Sequence, residues 1–147
     1  TGLHTGHCEV RGNKQMEPHG QMPLSPGTVT VAERLKEAGY QTALFGKWGL
    51  GTEGTTGEPT RQGFDQYYGY LDQVLAHNNF PEYLLRNGRK EYLKNKVVYE
   101  PVTSMFKGLG SHAVERVQYS NDLFTEEGLR FIGQKHTRPF FLYLSYT

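Results

Sequence analysis

The sequence predicts an α/β fold. Two stretches carry the prediction, and both read helix, tight turn, short apolar strand. The first runs from Thr30 to Phe45 and the second from Ser120 to Leu144. A helix that hands over to a strand through a short turn must bury its apolar stripe on a sheet, and two such units place helices against a mostly parallel central sheet. A third stretch adds a hairpin: Tyr83–Arg86 and Lys90–Leu93 flank Asn87-Gly88, the dipeptide that favours a type I′ turn.

Each element has a local reason. The first 27 residues are polar, rich in Gly and Pro, and without period, so they read as loop. Thr30-Val31-Ala32-Glu33 is a capping box: the Thr30 hydroxyl accepts from the Glu33 amide while the Glu33 carboxylate reaches back. Val31, Leu35 and Ala38 recur at helical spacing, and Gly39 suits the left-handed position that ends a helix. Thr42–Phe45 is the strand that follows. Gly49–Gly63 holds five Gly and one Pro and reads as a mobile loop able to line a site. Gly63–Tyr70 is aromatic and reads as a turn or short helix. Residues 95–113 show no usable periodicity. From Ser120 a second helix presents Leu123, Phe124, Leu129, Phe131 and Ile132 as an apolar face, with Glu126 and Glu127 in its early turns, and ends near Lys135. After Pro139, Phe140–Leu144 reads as a buried strand.

Composition narrows the function. With 16 Lys+Arg against 15 Asp+Glu the net charge is +1, which offers no bulk electrostatic drive toward nucleic acid or anionic membranes. No run of eighteen apolar residues marks a membrane-spanning helix. Hydrophobic residues make up 36%, low for a compact globule, whereas 13% aromatic content argues for folded material. The single cysteine, Cys8, excludes an internal disulfide and a Cys-based structural zinc site. The chain opens at Thr1 without a signal-peptide pattern and closes on an apolar run, so both ends read as cut.

Two residues stand out chemically. The strand that ends at Gly46 is followed at once by Lys47, and ligands of open α/β sheets bind beyond the carboxyl ends of strands. An ammonium there would offer three donors to an anion, with flanking glycines allowing close approach; the plainer reading is a solvated lysine in a Gly-rich loop. His77, in Ala76-His77-Asn78-Asn79, follows the aromatic patch with no helical stripe to hide in. It could donate to an anionic oxygen or a leaving group, or be a capping or surface histidine. His4, His7 and Cys8 invite a metal reading but lack a fourth ligand, and Cys8 lacks an activating base. Asp65, Asp72 and Asp122 form no calcium-loop spacing. The Gly-rich loop lacks the Gly-Lys-Ser/Thr ending of a P-loop. No metal site is expected within the chain.

Gly39-Tyr40-Gln41-Thr42-Ala43-Leu44-Phe45-Gly46-Lys47-Trp48 strongly resembles the second signature of the sulfatase family. Thr1-Gly2, His4-Thr5-Gly6 and Val10-Arg11-Gly12-Asn13 resemble the segment just after the first signature. Gln62-Gly63-Phe64-Asp65 with Tyr68-Gly69-Tyr70, and Arg138-Pro139-Phe140-Phe141-Leu142-Tyr143, extend the resemblance in order over nearly the whole chain. The likeness is to arylsulfatase-like enzymes of bacterial type. It implies part of an alkaline-phosphatase-like sandwich, with residues 1–147 as a partial catalytic domain truncated at both ends. It implies hydrolysis of aryl or carbohydrate sulfate esters by a formylglycine nucleophile, made from Cys or Ser, with a calcium ion balancing the sulfate charge. It also implies a periplasmic or secreted protein. Lys47 matches the family lysine that contacts sulfate, a cation placed where charge develops.

The departures are specific. Many members carry His two residues after that lysine, where this sequence has Gly49; His77 is the candidate for an equivalent donor. Cys8 does not match the nucleophile, because it follows Thr1-Gly2 and precedes Glu9-Val10-Arg11 without the Pro of the first signature. The nucleophile is therefore expected upstream of Thr1, and the calcium ligands outside the chain on both sides. The piece alone is expected to be inactive, with a terminal strand short of partners and exposed apolar surface. The alternatives are a phosphodiesterase or phosphonate hydrolase of the same superfamily, and a non-catalytic relative that binds sulfated glycans.

Overall fold

The computed structural model describes residues 1–12, 21–101 and 109–147. Parts of the first loop and of the aperiodic stretch lie outside the described residues. The elements are α1 (Val31–Glu37), β1 (Gln41–Lys47), β2 (Gln66–Tyr70), β3 (Tyr83–Arg86), β4 (Arg89–Tyr92), β5 (Lys96–Pro101), β6 (Leu109–Glu115), α2 (Ser120–Ile132) and β7 (Phe140–Ser145). Single 3-10 turns cover Thr5–His7, Pro59–Arg61 and Leu75–His77.

Five strands form one sheet in the order β4-β3-β2-β1-β7, and β5 pairs with β6 in a second. β1 runs parallel to both β2 and β7, and the β3–β4 hairpin adds antiparallel strands at the other edge. Asn87 and Gly88 both take positive φ, 49° and 81°, as the I′ turn requires.

Side chains alternate across β1, and each face meets a different helix. Ala43 and Phe45 join Tyr68, Tyr70, Leu84 and α2's Phe124 and Phe131 in one buried cluster. Leu44 joins α1's Ala32 with Phe64, Tyr67 and Leu71 in the other. The sheet is thus sandwiched between α1 and α2. Aromatic edges do much of the packing: Phe45 meets Phe131 at 6.1 Å, and Tyr70 meets Phe124 at 5.9 Å, both T-shaped.

The helix signals are found with their geometry. The Thr30 hydroxyl accepts from the Glu33 amide at 3.2 Å, and Glu33 Oε2 accepts from the Thr30 amide at 2.7 Å. The buried contact of α1 is nevertheless Ala32 rather than the predicted Val31 and Ala38, which are exposed. A close approach explains it: a Cβ on Gly63 would overlap the Ala32–Glu33 backbone, so Gly63 lets that loop press on the Ala32 side. α2 buries Phe124 and Phe131, while Leu129 and Ile132 face solvent.

Four expectations are corrected. Residues 66–70 of the aromatic stretch form strand β2, not a turn or short helix, because the segment pairs with β1 and β3 and is buried on both faces. The aperiodic stretch contains the β5–β6 hairpin, whose ends are gathered by Asn95: its Oδ1 accepts from the amides of Val117 and Gln118, both at 2.8 Å. The Gly-rich loop is braced: Trp48 Nε1 donates to the Gly57 carbonyl at 2.6 Å and Gln62 Nε2 to Thr56 at 2.8 Å. Its polar groups therefore bond inward as well as facing a site. β7 does have a partner, β1, but as an edge strand it leaves Phe140, Tyr143 and Leu144 exposed instead of buried.

Candidate functional site

β1 carries Lys47 to the carboxyl edge of the parallel strands. Two glycines in register make that edge narrow. Gly46 sits at φ +125°, beside Gly69 of β2 and Ser145 of β7. A Cβ on Gly46 would overlap the Ser145 carbonyl, and one on Gly69 would overlap the Gly46 carbonyl. The next peptide is clasped from both sides: Ser145 Oγ donates to the Lys47 carbonyl at 2.6 Å, and the Trp48 amide donates to the Tyr70 carbonyl at 2.9 Å. Among the described residues, no hydrogen bond or ion pair engages the Lys47 ammonium. An ammonium on a held backbone offers three donors at the end of a parallel strand.

His77 closes the turn that follows β2. Asp72 Oδ1 caps that turn, accepting from the amides of Val74 at 2.6 Å and Leu75 at 2.8 Å. The His77 side chain is exposed. The residues after it are tied to the same strand ends as Lys47. Tyr70, in register with Lys47, donates its hydroxyl to the Asn78 carbonyl at 2.7 Å. Burial pushes the Tyr70 hydroxyl well above the ordinary tyrosine range, so it remains a protonated donor. Asn79 Oδ1 accepts from Thr147 Oγ1 at 2.8 Å, just past β7. Lys47 and His77 thus belong to one edge, with Tyr70 as the link.

The other candidates are not brought into a reactive cluster. His4 Nδ1 accepts from the Gly6 amide at 3.1 Å, and Cys8 Sγ donates weakly to the Leu3 carbonyl at 3.6 Å. Asp65 braces the fold: its Oδ2 accepts from the Thr42 amide at 2.9 Å and its Oδ1 pairs with Lys36 at 2.8 Å. Burial would raise its carboxyl, but Lys36 and Thr42 outweigh that and hold it below the ordinary value. Among the described residues, no group of three or more His, Cys, Asp or Glu could hold a metal ion.

Gly49 marks a local substitution of volume. A Cβ there would overlap the Gln73 carboxamide, which fills the space beside it. Gly49 and Gln73 border a cavity of about 770 Å³ shared with His7, Cys8 and Gln21. Sequence reading singled out Lys47 because Gly46 before it reads as a strand end, whereas β1 runs on through Lys47 itself. It did not single out Tyr70, Asn79, Ser145 and Thr147, whose contacts exist only once β2 and β7 flank β1.

The fold and this edge define an open α/β protein with a lysine at the carboxyl end of its central parallel strand. The family model for sulfatases matches residues 5–147. The chain belongs to the sulfatase family. It is 32% identical to an arylsulfatase of Hemicentrotus pulcherrimus over 99% of its own length and 27% of the relative's. It is 43% identical to arylsulfatase G of Rattus norvegicus, over 97% of its length and 28% of the relative's. The chain therefore spans between a quarter and a third of the length of these two relatives. Among solved structures, Ps i-CgsB superposes with a TM-score of 0.58 at 21% identity, covering 86% of this chain and 28% of that one, a likeness of fold. Ps i-CgsB has also been solved in complex with k-i-k-neocarrahexaose. Among the described residues, no helix is long and apolar enough to cross a membrane.

Proposed function

We propose that this chain is an internal part of a catalytic domain that hydrolyses sulfate esters of aryl or carbohydrate alcohols, and that Lys47 contacts the sulfate. The observation that carries the reading is the Lys47 ammonium, without a partner among the described residues, on a clasped strand end in a chain of the sulfatase family. In this reading Lys47 binds a sulfate oxygen and offsets the charge that grows there as the ester bond breaks. His77, held one turn beyond β2, donates to the sulfate or to the departing alcohol oxygen. Tyr70 and Ser145 position these two without touching the substrate. The formylglycine, which would supply the attacking oxygen, is assigned to residues preceding Thr1. The calcium ligands are assigned to residues outside the described ones, and the steps above use only Lys47 and His77. A carbohydrate ester is favoured by the sugar-bound state of Ps i-CgsB. We place the protein in the periplasm or outside the cell, as the family resemblance implies.

The test is sulfate release by the full-length protein that contains this chain, from an aryl sulfate and from sulfated sugars. Lys47→Ala is expected to lower kcat by about 10²-fold or more, and His77→Ala by less. Hydrolysis of phosphodiesters in place of sulfate esters, or an unchanged kcat in Lys47→Ala, overturns the reading.

A further inference from the structure

A second cleft lies on the far side of residues 77–80, between that segment and β6. Its volume is about 250 Å³, below the roughly 300–1,000 Å³ of sites for drug-sized ligands, so it suits one substituted sugar residue. Three basic side chains line it, His77, His112 and Arg116, and among the described residues no carboxylate does.

Two acids of the neighbourhood are engaged elsewhere, and a third faces His112. Glu115 pairs with Lys96, and Glu82 Oε2 accepts from the Tyr99 hydroxyl at 2.8 Å. Glu100 lies 3.8 Å from His112 Nδ1 but does not line the cleft. The Arg116 guanidinium sits over the Phe80 ring at 5.6 Å and, among the described residues, has no acidic partner. Phe80 in turn packs on Tyr119, ring centroids 5.3 Å apart, giving the cleft an aromatic wall. The two sides are bolted together: Asn78 Nδ2 donates to Ser111 Oγ at 3.2 Å, and the Ser120 amide donates to the Asn79 carbonyl at 2.9 Å. Segment 77–80 therefore has two working sides. One meets the strand ends at Tyr70 and Thr147, the other faces this cleft.

An aromatic wall receives the C–H face of a sugar ring. The Arg116 guanidinium on the rim, with no acidic partner among the described residues, receives an anionic substituent on it with paired donors, and His112 lines the cleft beside it. We propose that this cleft is a second anion subsite, where Arg116 and His112 hold a sulfate or carboxylate group on the carbohydrate while the ester to be cleaved sits at Lys47. The proposal rests on the hydrolase reading for its substrate, but its binding readout does not.

The experiment uses the full-length protein with three disaccharide sulfates: one singly sulfated, one with a second sulfate, one with an added carboxylate. Equilibrium binding and hydrolysis are both measured. Arg116→Ala and His112→Ala are each expected to raise Kd and KM about tenfold for a doubly charged sugar, the scale of one charge-assisted hydrogen bond. Values for the singly sulfated sugar and for an aryl sulfate stay as in the wild type, and Arg116→Lys recovers part of the loss. Which doubly charged sugar responds tells sulfate from carboxylate. Equal changes for all ligands, or none, overturn the subsite. If no sulfate ester is cleaved yet a doubly charged sugar binds through Arg116, the subsite stands and the hydrolase reading falls. If sulfate esters are cleaved and Arg116→Ala binds every sugar as the wild type does, the subsite alone falls.

Discussion

The two helix–strand units share a sequence logic and end in opposite environments. β1, Gln41–Lys47, is buried at every position from Thr42 to Gly46. β7, Phe140–Ser145, is the more apolar of the two and has no buried residue. Strand order decides this: β1 lies between β2 and β7, whereas β7 has β1 on one side only. The helices differ in the same sense. α1 begins with a complete capping box, while Tyr119 ahead of α2 makes no side-chain cap. α2 is held instead by an ionic clamp. Arg86 grips Glu127 with two bonds of 2.8 and 3.1 Å, and Arg130 adds a third of 2.5 Å. Apolar character shows that a strand will seek cover; its place in the sheet decides how much it gets.

The comparison can be broken most severely at Gly46. Gly46→Val would drive a side chain into the Ser145 carbonyl and strain a positive φ, parting β1 from β7. The expected loss exceeds about 4 kcal/mol, read by urea unfolding or as failure to fold. Next comes a paired test of burial. Phe45→Ala, at 2% exposure, should cost about 3–5 kcal/mol, and Phe140→Ala, at 38%, about 1 kcal/mol. Near-equal losses would mean that β7 is covered in solution.

Glu127→Gln probes the clamp, with an expected cost of about 2 kcal/mol after allowance for solvent at Arg86 and Arg130. Burial would raise the Glu127 carboxyl, but the two guanidinium groups outweigh it and hold it below the ordinary value. The folded state thus binds this proton more weakly than the unfolded one. The clamp's stability is present above the ordinary glutamate range and fades as pH falls through the lowered value. In Glu127→Gln the urea midpoint should fall less between about pH 5 and pH 3 than in the wild type. Thr30→Ala should cost about 1–2 kcal/mol in urea unfolding, because that hydroxyl both caps α1 and donates to the Gln62 carbonyl at 2.7 Å.

Legibility followed the range of the interaction. The α1 cap and the Asn87-Gly88 turn are built from neighbours, so the sequence displays them. β2 was hidden because Gln66–Tyr70 buries both faces, leaving no alternation, and contains a glycine whose purpose is to admit β1. The second hairpin was hidden because Asn95 gathers its ends with a side chain that carries no periodic signal. The site divides in the same way. Lys47 is the last residue of its strand and could be singled out from local sequence. His77 could be named, but its link to Lys47 runs through Tyr70 and Asn78. Arg116 and His112 reach the second cleft only because the β5–β6 pair folds back against residues 77–80.

The bond between Ser145 Oγ and the Lys47 carbonyl spans 98 positions of chain. Closing a loop of that length carries a larger entropy penalty than closing the Asn87-Gly88 hairpin, and contacts so distant in sequence slow folding. During synthesis, β2, β3 and β4 emerge long before β7. The peptide that carries Lys47 therefore waits, clasped on one side only, until β7 has been made. Hydrogen exchange pulsed during refolding should show the Trp48 amide, which bonds to β2, protected before the Phe45 amide that faces β7 if this order holds.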